Sequence, residues 1–304
     1  MSLPSHFPLK AAEGKTIHIP SVGFGTFSPG SPGWCKDAVL IALKAGYRHL
    51  DCAWIYGVDE EVGAAIRESG IPRSEIFITS KFRGHFAAPE NVELSLDKVL
   101  QGMGLDYVDL FLAHWPVALK PVSKEALKSK EGSFVPTWQA MKKLVATGKT
   151  RAVGLSNFSI SEIKELLPYA DDVPISCNQI EAHPWLPNNK LIDFMKEHDI
   201  LTVCYSPFAG QKPHGATWLL NDPTVKRVAE KNGMDVGQCL QSWHVQRGTI
   251  PLGKSQTESR IKSNLAVRRL PLEDMKALDD LELPDGKGRT IDFSDAWGVK
   301  LFTN

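Results

Sequence analysis

The chain is poor in the features that mark specialised proteins, and each absence narrows the reading. Its five cysteines, Cys35, Cys52, Cys177, Cys204 and Cys239, are scattered, with no C-x-x-C pair. Cys52, Cys177 and Cys204 fall in apolar, strand-like runs, so buried free thiols are expected rather than disulfides or metal ligands. There is no H-x-H, no H-E-x-x-H and no carboxylate cluster with ligand spacing, so no metal site is expected. Excess charge of either sign is missing: 35 Lys and Arg balance 35 Asp and Glu, and the pI is about 7.1. That disfavours nucleic acid or a membrane surface as partner, since both would favour a basic face. No apolar run approaches the roughly 20 residues that span a bilayer, and Met1 to Gly14 has no apolar signal core. A soluble, cytosolic protein is the expectation. Also missing is a G-x-G-x-x-G turn opening a helix after the first strand; Gly23-x-Gly25 lacks the third glycine, which argues against a Rossmann site.

What is present is a regular alternation. At 304 residues, with 42% hydrophobic and 23% charged residues, the chain has the size of one eight-fold βα barrel or of two ordinary domains. Apolar runs at Val22–Phe27, Tyr47–Asp51, Ile76–Lys81, Val108–His114, Thr150–Leu155, Ile175–Ile180, Ile200–Tyr205 and Thr249–Leu252 alternate with helical patterns. An N-terminal β-hairpin is expected to pair Thr16–Ile19 with Val22–Phe27 across Pro20-Ser21. Helix signals recur in between: Gly46, Gly70, Gly104 and Gly148 as stops, Pro89 and Asp222-Pro223 as starts, and a Ser159-to-Glu162 capping box. Strands that are apolar throughout suit a parallel sheet buried on both faces. An open doubly wound sheet would alternate in the same way, but eight strands in about 250 residues fit a closed (β/α)8 TIM barrel better. The expected architecture is a single domain over residues 1–304, with extra helices and a C-terminal loop over the site. The polar segment Pro116 to Ser133 is long enough to be a functional loop.

In such a barrel the active site lies at the carboxyl ends of the strands. Those ends carry Asp51, Lys81, His114, Ser156-Asn157, Asn178-Gln179, Tyr205-Ser206 and Lys254-Ser255. A phenol follows Asp51 at Tyr56. A carboxylate that holds a lysine, and a lysine that lowers the pKa of a phenol, would make Tyr56 a usable proton donor near neutral pH. The plain alternative is a buried Asp–Lys ion pair with an unrelated histidine and tyrosine.

Taken together, Gly23-Phe24-Gly25-Thr26-Phe27, His49-Leu50-Asp51-Cys52-Ala53 with Tyr56, Thr79-Ser80-Lys81, His114-Trp115-Pro116, Gly154-Leu155-Ser156-Asn157-Phe158, Asn178-Gln179-Ile180-Glu181, Tyr205-Ser206-Pro207 and Lys254-Ser255 with Arg260 and Asn264 resemble the motifs of the aldo-keto reductases, in order and over nearly the whole chain. The resemblance implies a reductase of small carbonyl compounds that uses a nicotinamide cofactor and acts as a monomer. It implies Tyr56 as general acid, Lys81 and Asp51 as its partners, and His114 as the group that orients the carbonyl oxygen. It also implies an extended dinucleotide across the barrel mouth. Thr26, Phe27, Asp51, Ser156, Asn157 and Gln179 would lie near its nicotinamide end, Tyr205 would stack on the ring, and Ser206, Pro207 and Phe208, on to Gln211, would help enclose the pyrophosphate. Lys254, Ser255, Thr257, Arg260 and Asn264 form a phosphate-binding set beside a helix start. A 2′-phosphate fits it, so NADPH is expected over NADH; a solvated basic loop is the alternative. Phe27, Trp54, Phe82 and Trp115 are the expected substrate-pocket residues, with Phe293 or Trp297 as further candidates.

Four positions depart from the family pattern. Gly253 stands where proline is usual, Ser263 where glutamate is frequent, Phe27 where tryptophan is common, and Arg83 where many members place an aromatic. Arg83 suits either a solvent-facing position or contact with a hydroxylated or anionic substrate, and His85 is equally open. His183 is expected to be structural. Two other classes compete with the reductase: a cofactor-binding barrel that senses redox state, and a metal-dependent barrel hydrolase.

Overall fold

The computed structural model describes residues 2–27, 33–119, 133–210 and 217–303. Among the described residues there are ten strands: β1 (His6–Lys10), β2 (Thr16–Pro20), β3 (Gly23–Gly25), β4 (His49–Asp51), β5 (Phe77–Phe82), β6 (Val108–Ala113), β7 (Thr150–Ser156), β8 (Cys177–Glu181), β9 (Leu201–Tyr205) and β10 (Ile250–Gly253). Strands β3 to β10 close into an eight-membered barrel, and every pairing in it is parallel. The helices follow in order: α1 (Trp34–Ala45), α2 (Asp59–Ser69), α3 (Pro89–Met103), α4 (Val135–Ala146), α5 (Ile160–Leu166), α6 (Asn189–Glu197), α7 (Pro223–Lys231), α8 (Val236–Gln246), α9 (Glu258–Leu265), α10 (Leu272–Asp279) and a short α11 (Ser294–Trp297). The expected (β/α)8 barrel is therefore the observed fold. Among the described residues no helix is long and apolar enough to cross a membrane.

The N-terminal hairpin exists, but its strands are not the expected ones. β1 pairs antiparallel with β2, in a register that sets Phe7 opposite Ile19 and Leu9 opposite Ile17. Residues 23–25 instead pair with β4 and β10 as a barrel strand. Pro20-Ser21 is thus the step from hairpin to barrel, not the hairpin turn. Leu9, Ala11 and Ile19 join the interior residues Phe77, Leu110, Leu112, Cys177, Val203 and Ile250 in one apolar cluster, so the hairpin seals the barrel floor.

Successive strand residues face opposite sides. Ile78, Phe82, Phe111, Ala113, Val153 and Leu155 pack outward in the layer shared with the helices, whereas Lys81 points inward. The interior is tight: a Cβ at Gly23 would lie 2.4 Å from Leu252 and 2.7 Å from His49 Nδ1. At the floor Asp109 accepts from Arg73 at 2.8 Å and from Arg151 at 2.7 Å, an ion-paired closure at the pole opposite the site. After α10 the chain crosses back over the mouth, and the residues beyond Thr290 pack on Trp115, Val117 and Leu119.

Candidate active site

The site begins where β4 runs out. Asp51 is its last residue, and a single turn of 3-10 helix, Trp54–Tyr56, brings the phenol back over the barrel axis. Lys81 comes from the neighbouring β5, in register one step above Thr79, the partner of Asp51. Lys81 Nζ donates to Asp51 Oδ1 at 2.7 Å and to the Cys52 carbonyl at 2.8 Å, and it lies 3.5 Å from Tyr56 Oη. The second carboxylate oxygen of Asp51 accepts from Gln179 Nε2 at 2.7 Å. Lys81 is fully buried. An ammonium removed from water costs several kcal/mol unless charge and hydrogen bonds compensate it, and here a carboxylate and a carbonyl do so.

The electrostatics follow from this packing. Burial would lower the Lys81 pKa, but the Asp51 carboxylate and the Tyr56 oxygen reverse the effect and hold it raised, so the ammonium persists. Burial raises Asp51, with Lys81 and Gln179 pulling it back. Tyr56 departs from the sequence expectation: burial raises its phenol, and the opposing pull of Lys81 is smaller. The phenol is therefore held protonated, the form needed to donate. His114, on the first residue after β6, is held well below the usual histidine range by burial and by the positive charges of Lys81 and Arg83. Its imidazole is neutral. The His114 and Tyr56 rings meet edge-on with centroids 5.9 Å apart, and Phe27 tilts onto Tyr56 at 5.0 Å from the other side. These rings, with Trp54 against Phe86 at 5.1 Å, border the space in front of the phenol.

The far side of the mouth is polar. Asn157 adopts a left-handed backbone, φ 66°, which aims its side chain across the strand ends. Its Nδ2 donates to the His114 carbonyl at 3.0 Å, and its Oδ1 accepts from Tyr205 Oη at 2.7 Å. Ser156 Oγ donates to the Gln179 carbonyl at 2.9 Å, and Thr26 Oγ1 donates to the Asp51 carbonyl at 2.9 Å. Ser206 and Ala209 also have positive φ, 50° each, and the Ala209 N–H closes a turn on the Ser206 carbonyl at 2.9 Å. Pro207 and Phe208 lie within that turn; Gln211 lies outside the described residues, as does most of the Pro116 to Ser133 loop. Lys254 lies over the Trp34 ring with Nζ 4.9 Å from its centroid. Ser255 Oγ accepts from the Thr257 N–H at 3.1 Å just before α9. Arg260 is exposed one turn on, while Asn264 is buried against Gly237.

Nearly all the expected site residues thus gather at one pole. Phe82 does not: its ring packs outward on Phe111, centroids 5.9 Å apart, because it follows the inward-facing Lys81 and must face the opposite way. Asn178 also faces outward and donates to the Phe158 carbonyl at 2.9 Å. Trp115 is at the mouth but covered, with Phe293, Trp297 and Phe302 each meeting it edge-on at 5.3, 5.2 and 6.0 Å.

Sequence reasoning gave no role to Glu181, the last residue of β8. Its fully buried carboxylate accepts from the Thr290 N–H at 2.9 Å, from the Ile291 N–H at 3.1 Å, from the Thr290 hydroxyl and from His183 Nε2 at 3.3 Å. Burial alone would raise it, but these donors hold it below the usual carboxylate range. Glu181 fastens the returning C-terminal segment over the mouth. The available signal was an acidic residue ending an apolar strand; apart from His183, two residues on, its donors lie 109 and 110 residues away.

Known proteins resemble the chain in sequence and in fold. The aldo/keto reductase family model matches residues 21–282. Aldehyde reductase YPR1 of Saccharomyces cerevisiae is 44% identical over 92% of each chain. A glycerol 2-dehydrogenase (NADP(+)) of Hypocrea jecorina is 39% identical over 93% of this chain and 95% of its own. Among solved structures, an aldo-keto reductase in complex with NADPH superposes with a TM-score of 0.87 at 30% identity, covering 99% of this chain and 94% of that one. The aldose reductase of Schistosoma japonicum gives a TM-score of 0.80 at 34% identity, over 92% and 94%. With this match along sequence and barrel alike, the chain belongs to the aldo/keto reductase family.

Proposed function

We propose that the protein is an NADPH-dependent reductase of aldehydes or ketones, with Tyr56 as the general acid. The observation that carries this is the chain of contacts Gln179–Asp51–Lys81–Tyr56, which ends in the Tyr56 hydroxyl at the barrel mouth. Reduction of a carbonyl needs a hydride at carbon and a proton at oxygen; bound NADPH would supply the hydride. The protein's part is the proton and the geometry. Tyr56 Oη gives its proton to the carbonyl oxygen, and the phenolate left behind is stabilised by the adjacent ammonium of Lys81. Asp51 and the Cys52 carbonyl keep that ammonium charged and in place. His114, neutral, donates a hydrogen bond to the same oxygen as negative charge builds there. Run in reverse, the same groups take the proton from an alcohol.

The mouth fits the cofactor. Gln179 and Asn157 bring planar amides to a spot beside the Tyr205 ring, where a nicotinamide carboxamide needs both donors and acceptors. Among the described residues nothing donates to Gln179 Oε1. Ser206, Pro207 and Phe208 form the turn that would line the pyrophosphate. Lys254, Ser255 and Arg260 at the start of α9 would hold a 2′-phosphate, which favours NADPH over NADH. The relatives whose names specify NADP(+) support this choice. Phe27, Trp54 and the covered Trp115 would form the substrate wall. Turnover of a panel of aldehydes and ketones with NADPH and with NADH tests the reading. Carbonyl-dependent oxidation of NADPH is the expected result; tight NADPH binding with no turnover of any carbonyl would replace the reductase with a sensing barrel.

A further inference from the structure

Arg83 departs from the family pattern at the substrate side of the mouth, and the chemistry above does not use it. It follows the inward-facing Lys81 by two residues, so the two side chains leave the same face of the barrel, Arg83 one step nearer the mouth. Its backbone is fixed. The Phe82 carbonyl accepts from the His114 N–H at 3.2 Å, and the Arg83 carbonyl accepts from the Phe86 N–H at 2.9 Å. The next residue, Gly84, is pressed so closely on the Val117–Leu119 segment that a Cβ there would stand 2.2 Å from the Val117 carbonyl oxygen. The Gly84 carbonyl is bonded to the Leu119 N–H at 3.0 Å. Arg83 therefore rests on a clamped turn, not on a free loop.

Its guanidinium is partly buried and lies near enough to His114 to depress the imidazole pKa. Other arginines of intermediate burial have carbonyl, carboxylate or ring partners: Arg73 binds Asp109 and stands over Tyr107, Arg247 stands over Trp243, and Arg289 stands over Phe302. Among the described residues Arg83 has no hydrogen-bond or ion-pair partner. Solvent takes only part of its surface, and burial weakens its own charged form. Of the groups it shares this face with, Lys81 is already neutralised by Asp51 and His114 is neutral. A cation with five fixed donors is thus left unanswered at the edge of the space where a carbonyl would bind.

We infer that Arg83 is an anion-binding subsite and that the preferred substrates are aldehydes carrying a carboxylate remote from the carbonyl. The inference rests on the reductase reading. A planar guanidinium matches a carboxylate with two parallel hydrogen bonds, and the partial desolvation that makes the empty site costly strengthens the filled one.

The test compares 4-carboxybenzaldehyde with its methyl ester as substrates, with NADPH, in the wild type and in Arg83→Met. The intrinsic reactivity of each carbonyl cancels when the acid-to-ester ratio of kcat/KM is compared between the proteins. The expected result is a fall in that ratio of about tenfold or more in the variant, mainly through the KM of the acid. The wild-type ratio should also shrink as salt is raised. Arg83→Lys, which keeps the charge but not the fork, should give an intermediate ratio, and it serves also where Arg83→Met does not fold. A ratio unchanged in whichever of the two variants folds overturns the inference while leaving the reductase intact. Failure of the wild type to reduce either aldehyde overturns the reductase reading, and this inference with it.

Discussion

Glu181 and Thr290, 109 residues apart, are joined inside the protein through two donors: the Thr290 amide is shared between the two Glu181 carboxylate oxygens at 2.9 and 3.1 Å, and the Thr290 hydroxyl donates to the nearer one. The chain beyond Thr290 supplies Phe293, Trp297 and Phe302, which cover Trp115 next to His114. The carboxylate at the end of β8 thereby positions one wall of the barrel mouth.

Glu181→Gln removes the charge and one of the two acceptor oxygens, and hydrogen bonds to a charged group contribute about 1.5–3 kcal/mol each. The C-terminal segment should loosen. KM for an aromatic aldehyde should rise by roughly three- to thirtyfold with a smaller change in kcat, and limited proteolysis should cut within the last 15 or so residues sooner than in the wild type. Unchanged KM together with unchanged proteolysis would show that the segment is held by its apolar contacts alone.

Gly253 has a local reason for not being proline. A Cβ at this position would stand 2.4 Å from Gln241 Nε2 and 3.2 Å from Phe208, and among the described residues neither Gln241 side-chain polar atom has a partner. The glycine leaves the room that the glutamine amide fills. Gly253→Ala should destabilise by about 1–3 kcal/mol, and in the Gln241→Ala background the same change should cost much less. Denaturant unfolding of the two single variants and the double variant closes the cycle; additive effects would separate the two residues.

The buried histidines set the acid limit of stability. His49 is held neutral with its pKa lowered to about 3, and His114 and His244 are also lowered, burial being the main cause in all three. Below the unfolded value of about 6.5, the unfolded chain binds protons that the folded chain refuses, so stability falls as pH falls. Asp59 works the other way. Its carboxyl is pushed up to about 7 by burial, so its contribution is present at low pH and lost as pH rises through 7. Asp51 is also raised by burial, and three histidines against these two carboxyls leave a net loss toward acid. The Tm of the free protein should drop between pH 6.5 and 5, with a slope of about 1.4 kcal/mol per pH unit for each net proton. A flat Tm over that range would mean that these imidazoles are not held neutral.

How much of this was legible in the sequence depended on whether the signal was local. The strand ends that carry Asp51, Lys81, His114, Asn157 and Tyr205 follow short apolar runs, and the barrel follows from their number and spacing. Phe82 was misplaced because a strand apolar on both faces does not show which of two neighbours faces in; only the inward Lys81 sets that phase. The hairpin was misread because Pro20-Ser21 has the composition of a turn, while the true partner, His6–Lys10, carries only Phe7 and Leu9 as its apolar pair. Glu181 and Gln241 were silent because what gives them meaning lies far along the chain: the Thr290 amide for one, the missing Cβ of Gly253 for the other. The pKa direction of Tyr56 was reversed for a similar reason, since burial is a property of the folded mouth and not of the spacing to Lys81.

The most direct measurement is the pairing of NADPH affinity with turnover in Tyr56→Phe. Removing one hydroxyl leaves the ring against Phe27 and His114 and leaves the Lys81–Asp51 pair in place, so NADPH should bind with a Kd within about threefold of the wild type. Carbonyl reduction should fall by roughly 100- to 10,000-fold, the usual worth of a positioned acid. Turnover within tenfold of the wild type would contradict the account, because the proton would then come from a group other than Tyr56.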